Sequence, residues 1–152
     1  VSKYQRVLET GTDVGDSTRI FSTALQATQG QLVSVDVVPP KHDWPKDWPL
    51  KNIQFVTGDS TQVNLTEPLD LLFLDAHQDK MDVLSHVSVE LTKLGTWVRP
   101  GGKVLVHGAW LAHVGLPIRQ AVETWCRHHQ LAWTTYPQGH GLLVIELTHS
   151  LR

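Results

Sequence analysis

Five short apolar segments each have a polar residue or a glycine at or just after their last residue, and this pattern does most to limit the folds open to the chain. They occupy residues 6–10, 32–36, 53–56, 69–75 and 103–107. Their length and apolar content predict β-strands, and the apolar spacing between several of them predicts helices. Segment 69–75 is apolar at almost every position, as expected for a strand covered on both faces. Strands that alternate with helices form a parallel sheet, so the pattern predicts a doubly wound, three-layer α/β fold.

The remaining segments complete the predicted fold. Helices are expected over 17–30 with Ser17 as the N-cap, over 81–94, and from Pro117 onward. Residues 99–102 predict a tight turn. The last two strands, 131–136 and 142–147, flank a loop short enough for a hairpin. We therefore expect a single domain over residues 1–152, a Rossmann-like sandwich whose mostly parallel, seven-stranded sheet ends in an antiparallel hairpin.

The composition of the chain limits the kinds of molecule that it is expected to bind. The 152 residues carry a net charge of −2 and no run of Lys or Arg, so a nucleic-acid partner is not favoured. The single cysteine, Cys126, cannot form an internal disulfide and is expected to be a buried apolar side chain. No apolar run approaches the roughly 20 residues of a membrane span, and no signal peptide is visible. We expect a cytoplasmic protein without a membrane partner, and a homo-oligomer is left open.

The strand ends point to a ligand site, because ligands bind such sheets at the carboxyl ends of the strands. The first strand leads into Gly11-x-x-x-Gly15, whose glycines let the backbone approach a ligand closely. Asp36 ends the second strand about 20 residues beyond Gly15, which places its carboxylate to accept hydrogen bonds from ribose hydroxyls. The next three strand ends carry Gly58-Asp59-Ser60, Asp75-Ala76-His77 and His107-Gly108. Together these residues predict a cofactor that contains a nucleoside.

The segment Glu9-Thr10-Gly11-Thr12-Asp13-Val14-Gly15-Asp16-Ser17-Thr18 resembles motif I of the class I S-adenosylmethionine-dependent methyltransferases. The resemblance is closest to the small-molecule O-methyltransferase-like branch, although Asp13 replaces a glycine of the commoner loop. It continues through 35–36, 58–60, 72–77 and 98–104 and so covers nearly the whole chain. It implies S-adenosylmethionine as the cofactor and methyl transfer to a small molecule, with oxygen as the expected acceptor atom.

The resemblance also implies a role for each residue that matches the motifs. Glu9 and the Gly11–Gly15 backbone would hold the methionine end, and Asp36 the ribose. Asp59, with Ser60 beside it, would meet the adenine edge, and Asp75 would lie near the amino group and the transfer site. The full set of expected cofactor-binding residues is Glu9, Gly11, Thr12, Asp13, Gly15, Ser17, Asp36, Gly58, Asp59, Ser60, Asp75 and Ala76.

Two histidines are candidates for the catalytic base. His77 and His107 both follow strand ends at the predicted site, and an imidazole titrates near neutral pH. Either could remove a proton from the acceptor, and Asp75 could orient one of them. Each could equally cap a strand end or bond to the backbone. The expected catalytic residues are therefore His77, His107 and Asp75.

No obligatory metal ion is expected. Metal-dependent relatives carry acidic or amide ligands just after the fifth strand, where this chain has His107-Gly108-Ala109-Trp110. Mg²⁺ prefers several oxygen ligands, and Asp75 with one histidine is a poor set. Zinc bound by Asp75, His77 and His107 is the less favoured alternative.

The sequence leaves two further functional hypotheses. The chain could be a non-catalytic module that binds the cofactor or a partner chain on a degenerate methyltransferase fold. A nicotinamide-dependent oxidoreductase is disfavoured, because Gly11-x-x-x-Gly15 does not match the Gly-x-Gly-x-x-Gly spacing.

The sequence predicts the surroundings of five of the six tryptophans. Trp44 and Trp48 would cover the adenine or a partner, and Trp110 would line the acceptor pocket. Core packing is expected for Trp125 and Trp133.

Overall fold

A computed structural model describes residues 4–40, 50–77 and 82–152. Its strands are β1 Arg6–Thr10, β2 Gln31–Asp36, β3 Ile53–Thr57, β4 Leu69–Leu74, β5 Val98–His107, β6 Trp133–Tyr136 and β7 Leu142–Glu146. Its α-helices are α1 Asp16–Gln26, α2 Val83–Lys93 and α3 Gly115–His129. The seven strands form one sheet in the order β3-β2-β1-β4-β5-β7-β6, in which β7 runs antiparallel to both of its neighbours. The predicted fold class is confirmed.

Helices cover both faces of the sheet because strand side chains alternate between the faces. Apolar residues of α2 and α3 pack with one set of strand residues, which includes Leu8 and Leu72. Leu25 of α1 packs on the other face with Val7 and Leu71. All six residues of β4, the central strand, are buried, as the apolar run 69–75 predicts. No helix in the described ranges is long and apolar enough to cross a membrane.

The N-terminus of α1 differs from the expectation. The N-cap is Gly15, in the left-handed conformation at φ 84°, and Ser17 lies inside the helix. The Ser17 hydroxyl donates to the Glu9 carboxylate instead of capping backbone N–H groups. Glycine takes the cap position because the chain enters the helix with a positive φ that glycine adopts without strain.

The tight turn expected at residues 99–102 is instead part of β5. Gly101 has φ 80°, and the pairing of β4 with β5 shifts register between Leu69 and Leu71. Backbone hydrogen bonds keep this irregular segment in the sheet: Gly101 donates to the Leu147 carbonyl over 2.6 Å, and Leu147 donates to the Gly102 carbonyl over 3.0 Å. Residues 99–102 of β5 thus lie opposite the single residue Asp70 of β4, and this segment forms a multi-residue bulge within the strand.

The sequence predictions for individual core residues had mixed outcomes. Trp125 is 6% exposed and Cys126 is fully buried, as predicted, and burial raises the pKa of the Cys126 thiol to about 12. Trp133 is 38% exposed, so the core placement was wrong. Trp133 begins β6, the edge of the sheet, where only one neighbouring strand is present. Trp44 and Trp48 lie outside the described residues.

Candidate active site

Backbone hydrogen bonds bring four strand ends together at one edge of the sheet. The Gly11 amide donates to the Val35 carbonyl over 2.8 Å, and the Asp75 amide donates to the Thr10 carbonyl over 3.0 Å. The Gly58 amide extends the same pattern to the end of β3 by donating to the carbonyl of Asp36 over 2.8 Å. The predicted cofactor residues on these loops therefore surround one edge.

The loop between β1 and α1 has three residues in the left-handed region: Gly11, Asp13 and Gly15, at φ 86°, 42° and 84°. A Cβ on Gly11 would collide with the carbonyl of Asp75. This glycine therefore allows the loop to pack against the residue that follows β4.

Asp36 holds the same loop from the end of β2. Its Oδ2 accepts hydrogen bonds from the Thr12 amide at 2.8 Å and the Asp13 amide at 3.0 Å, and its Oδ1 accepts one from Val38. A carboxylate oxygen can accept two hydrogen bonds, so Oδ1 retains capacity for a ribose hydroxyl. The ribose role stays a prediction, and the structure adds an anchoring role for Asp36.

Glu9 is fully buried and bonded to three hydroxyls. Ser17 donates to Oε1, while Thr18 and Ser34 donate to Oε2 over 2.5 and 2.7 Å. Burial raises the pKa of Glu9, and the three hydrogen bonds oppose that rise. Glu9 thus ties β1 to α1 and β2, and its contact with the methionine end of the cofactor stays a prediction.

The turn after β3 borders open space. A Cβ on Gly58 would meet no described atom within 4 Å. Asp59 is exposed and accepts hydrogen bonds from the amide and the hydroxyl of Thr61, both 2.8 Å long. These bonds hold the pKa of Asp59 below its usual range, and the bond from the Thr61 hydroxyl contributes most. Ser60 is 4% exposed, and its hydroxyl donates to Glu90 in the core. The space beside Gly58 and the ionised Asp59 fit a planar base with a donor edge.

The structure distinguishes the two candidate bases. Nδ1 of His107 lies 2.9 Å from Oδ1 of Asp75, and both side chains are 32% exposed. The hydrogen bond to Asp75 raises the pKa of His107. Nε2 of His77 donates to the His107 carbonyl over 2.9 Å, and burial lowers the pKa of His77. His107 is therefore an accessible imidazole oriented by a carboxylate, whereas His77 is a neutral side chain bonded to the backbone.

Sequence reasoning missed one residue beside this pair. The His140 ring lies 5.7 Å from the His107 ring, between centroids. His140 belongs to the turn between β6 and β7. The Trp110 amide donates to the His140 carbonyl over 2.8 Å and so joins this turn to the segment after β5. No spacing in the sequence indicates this contact. Trp110 itself is 42% exposed, and its place in an acceptor pocket stays a prediction.

The described donor residues at this edge do not form a ligand set for a divalent metal. Within the described ranges, no group of three or more His, Cys, Asp or Glu residues is arranged to hold an ion. Asp75 already shares one oxygen with His107, and Gly108 and Ala109 have no side-chain oxygen. The expected independence from metal stays a prediction.

A cavity of about 680 Å³ lies along β1–β3, beneath the 61–69 connection. It reaches the candidate site only at Gly58 and Asp59. Asp75 and His107 lie outside its lining, so the open edge of the sheet remains the candidate site.

Comparison with known proteins agrees with this geometry. The sequence profile of the methyltransferase-domain family matches residues 8–109. A search of curated proteins finds no match. Among solved structures, the chain is similar to the methyltransferase PaMTH1 of Podospora anserina bound to S-adenosylhomocysteine (SAH), with 17% identity and a TM-score of 0.63, over 95% of this chain and 72% of that one.

Two further solved structures are similar to the chain in fold. The O-methyltransferase NovP shares 17% identity at a TM-score of 0.69, over 95% of this chain and 72% of NovP. MycE of the mycinamycin biosynthetic pathway, solved with Mg and SAH, shares 17% identity at a TM-score of 0.69, over 97% of this chain. The chain spans only 45% of the MycE chain.

The fold and the glycine-loop edge define a class I S-adenosylmethionine-dependent methyltransferase domain. The chain belongs to the methyltransferase-domain family, because the family profile covers residues 8–109 of its 152 residues. The resemblance and the enzyme class inferred from the sequence are confirmed.

Proposed function

We propose that this chain transfers the methyl group of S-adenosylmethionine to an oxygen of a small molecule, with His107 as the general base. The observation that carries the proposal is the His107–Asp75 hydrogen bond at the edge formed by the glycine loop. A positioned base of this kind contributes typically 10²–10⁴-fold to a proton-transfer step.

The residues around the edge suit this cofactor. When bound, S-adenosylmethionine supplies an activated methyl group on a sulfonium. The free capacity of Asp36 Oδ1 suits a ribose hydroxyl. The space beside Gly58 suits the adenine, whose amino group can donate a hydrogen bond to the Asp59 carboxylate. Glu9 would act at the methionine end, by contact or by holding the loop.

Proton removal follows from the arrangement of His107. Its Nδ1–H donates to Asp75. The other ring nitrogen, Nε2, has no hydrogen bond to any described residue and is therefore available to take the proton of a hydroxyl. Asp75 then stabilises the imidazolium. His77 holds the His107 backbone through the carbonyl and stays neutral, so it positions the base without competing for the proton.

The acceptor class and the setting are further parts of the proposal. NovP is an O-methyltransferase, which supports an oxygen acceptor on the same fold. Cys126 is buried and unpaired within the chain, which suits a reducing compartment and supports a cytoplasmic setting.

The direct test is calorimetric titration with S-adenosylmethionine, SAH and NAD, followed by turnover on phenol, alcohol and amine acceptors. We expect binding of the first two ligands, no binding of NAD, and methylation of a hydroxyl acceptor. SAH binding without turnover on any acceptor would favour the non-catalytic module. Binding of NAD alone would overturn the proposal.

A further inference from the structure

Glu90 is a core carboxylate that the proposed reaction does not use. It lies on the face of α2 that also carries Val87 and Leu91, and it is fully buried. Burying an ionisable group is costly unless hydrogen bonds compensate it. The contacts of Glu90 therefore indicate why a carboxylate occupies this position.

One oxygen of Glu90 joins α2 to the turn after β3. The Ser60 hydroxyl donates to Oε1 over 2.6 Å, and Nε2 of His86, one helical turn earlier, lies 3.4 Å from the same oxygen. Ser60 is 4% exposed, so its side chain points into the core. Its neighbours Gly58 and Asp59, in contrast, follow the carboxyl end of β3 on the open side: Asp59 is exposed, and a Cβ on Gly58 would meet no described atom within 4 Å. Glu90 thus holds from the core side the turn that carries the adenine-side residues.

Glu90 also influences the protonation of His77. Its Oε2 is buried without a hydrogen bond to any described residue, and so is Nδ1 of His77. The charge of Glu90 favours the protonated form of His77, although burial has the larger effect. His77 stays predominantly neutral and bonded to the His107 carbonyl, so a change at Glu90 should reach the catalytic imidazole only weakly.

We propose that Glu90 is a positioning residue for the cofactor: with His86 it fixes Ser60, and so pre-orders the Gly58–Ser60 turn against which the adenine end binds. The inference rests on the proposed function. A turn that is already ordered loses less conformational freedom on binding, so loss of this anchor weakens cofactor affinity. The His107–Asp75 pair lies outside the anchor and keeps its geometry.

The test compares SAH affinity by calorimetry with steady-state kinetics in Glu90→Gln, Glu90→Leu and Ser60→Ala. Glutamine keeps an acceptor for the Ser60 hydroxyl, and we expect about threefold weaker binding; leucine removes it, and we expect roughly tenfold weaker binding. The KM for the cofactor should rise with the loss of affinity in all three variants. In the two Glu90 variants, kcat at saturating cofactor and the pH profile should stay near wild type. Glu123→Gln, an exposed carboxylate paired with Arg127 on α3, is the matched control and should bind SAH normally.

A double variant distinguishes a shared anchor from separate damage. The double variant Ser60→Ala/Glu90→Leu should bind SAH no more weakly than whichever single variant has the lower affinity, because the two substitutions remove the same contact. If Glu90→Leu does not fold, Ser60→Ala and Glu90→Gln carry the test. Folded variants with wild-type affinity, or kcat that falls as much as KM rises, would overturn the inference. Absence of SAH binding in the wild type would instead overturn the proposed function.

Discussion

At the scale of single residues, the pairing of His107 with Asp75 makes a prediction about pH. The carboxylate raises the pKa of His107, and a general base acts only when neutral, so the wild-type rate should rise with pH through that raised pKa. Asp75→Asn removes the charge and should move this rise to lower pH while reducing kcat. His107→Ala should lower kcat by roughly 10²–10⁴-fold. The measurement is the pH dependence of kcat at saturating cofactor.

His77→Gln is the control for that series. Gln can still donate to the His107 carbonyl, so the pH profile should keep its wild-type position even if the rate falls. A profile that loses its rise in His77→Gln but keeps it in His107→Ala would assign the base to His77.

A second residue-scale prediction concerns the open space beside Gly58. Gly58→Val should weaken SAH binding at least tenfold, because the new side chain occupies space that we assign to the adenine. Since no described atom lies near the new Cβ, the free energy of unfolding should change by less than about 0.5 kcal/mol. Calorimetry and urea denaturation measure the two quantities separately.

Gly58→Ala gives a smaller side chain and should have a smaller effect on affinity. Gly11→Val is not a clean test, because its side chain would collide with the Asp75 carbonyl and disturb the loop itself. Tight SAH binding by Gly58→Val would show that the cofactor does not lie beside this turn.

At the scale of elements, Asp70 holds β1 and the bulge of β5 to β4. It is 5% exposed, and its oxygens accept hydrogen bonds from the Gln5 and Arg6 amides and from the Arg99 guanidinium. Burial raises the pKa of Asp70, but these hydrogen bonds outweigh it and hold the pKa below its usual range. Asp70→Ala should therefore lower the free energy of unfolding by about 2–4 kcal/mol.

The sign of its pH dependence follows from the lowered pKa. The stabilisation by Asp70 is present above the unfolded-state pKa of about 3.9 and is lost as pH falls through the folded-state value. The difference between wild type and Asp70→Ala in urea denaturation should thus shrink in acid. Asp82→Ala, which removes the exposed N-cap of α2, is the control and should cost only about 1 kcal/mol. Equal losses in the two variants would show that the hydrogen bonds of the buried Asp70 stabilise the fold no more than an exposed helix cap does.

At the scale of the whole molecule, methyl transfer should survive EDTA. Asp75 is engaged with His107, and the segment after β5 brings no further side-chain oxygen. Mg²⁺ prefers an oxygen-rich shell, which these residues do not supply. Turnover with and without chelator is the measurement, and loss of activity that a divalent ion restores would contradict the expectation. MycE, solved with Mg on a similar fold, is a suitable positive control for metal binding.

The elements of the fold, and the sheet edge at which the candidate site lies, could be predicted from the sequence alone. Apolar runs and their spacing predicted all seven strands, because a covered sheet requires apolar side chains at regular positions. Polar strand ends such as Asp36 and Asp75 indicated the carboxyl edge. Glu90 carried a signal too, since a carboxylate on the apolar stripe of a helix must find a buried partner, but its partner Ser60 could not be identified.

Which side chains meet became clear only from the folded chain. Leu74 of β4 pairs with Val106 of β5, and this register brings Asp75 to His107 across 32 residues of sequence. Local periodicity carries no information about register between strands, so both histidines remained candidates. The same reason explains the exposure of Trp133, because its environment depends on which strand forms the sheet edge. Local sequence therefore specifies what each element is, whereas pairing between distant elements specifies what each site residue touches.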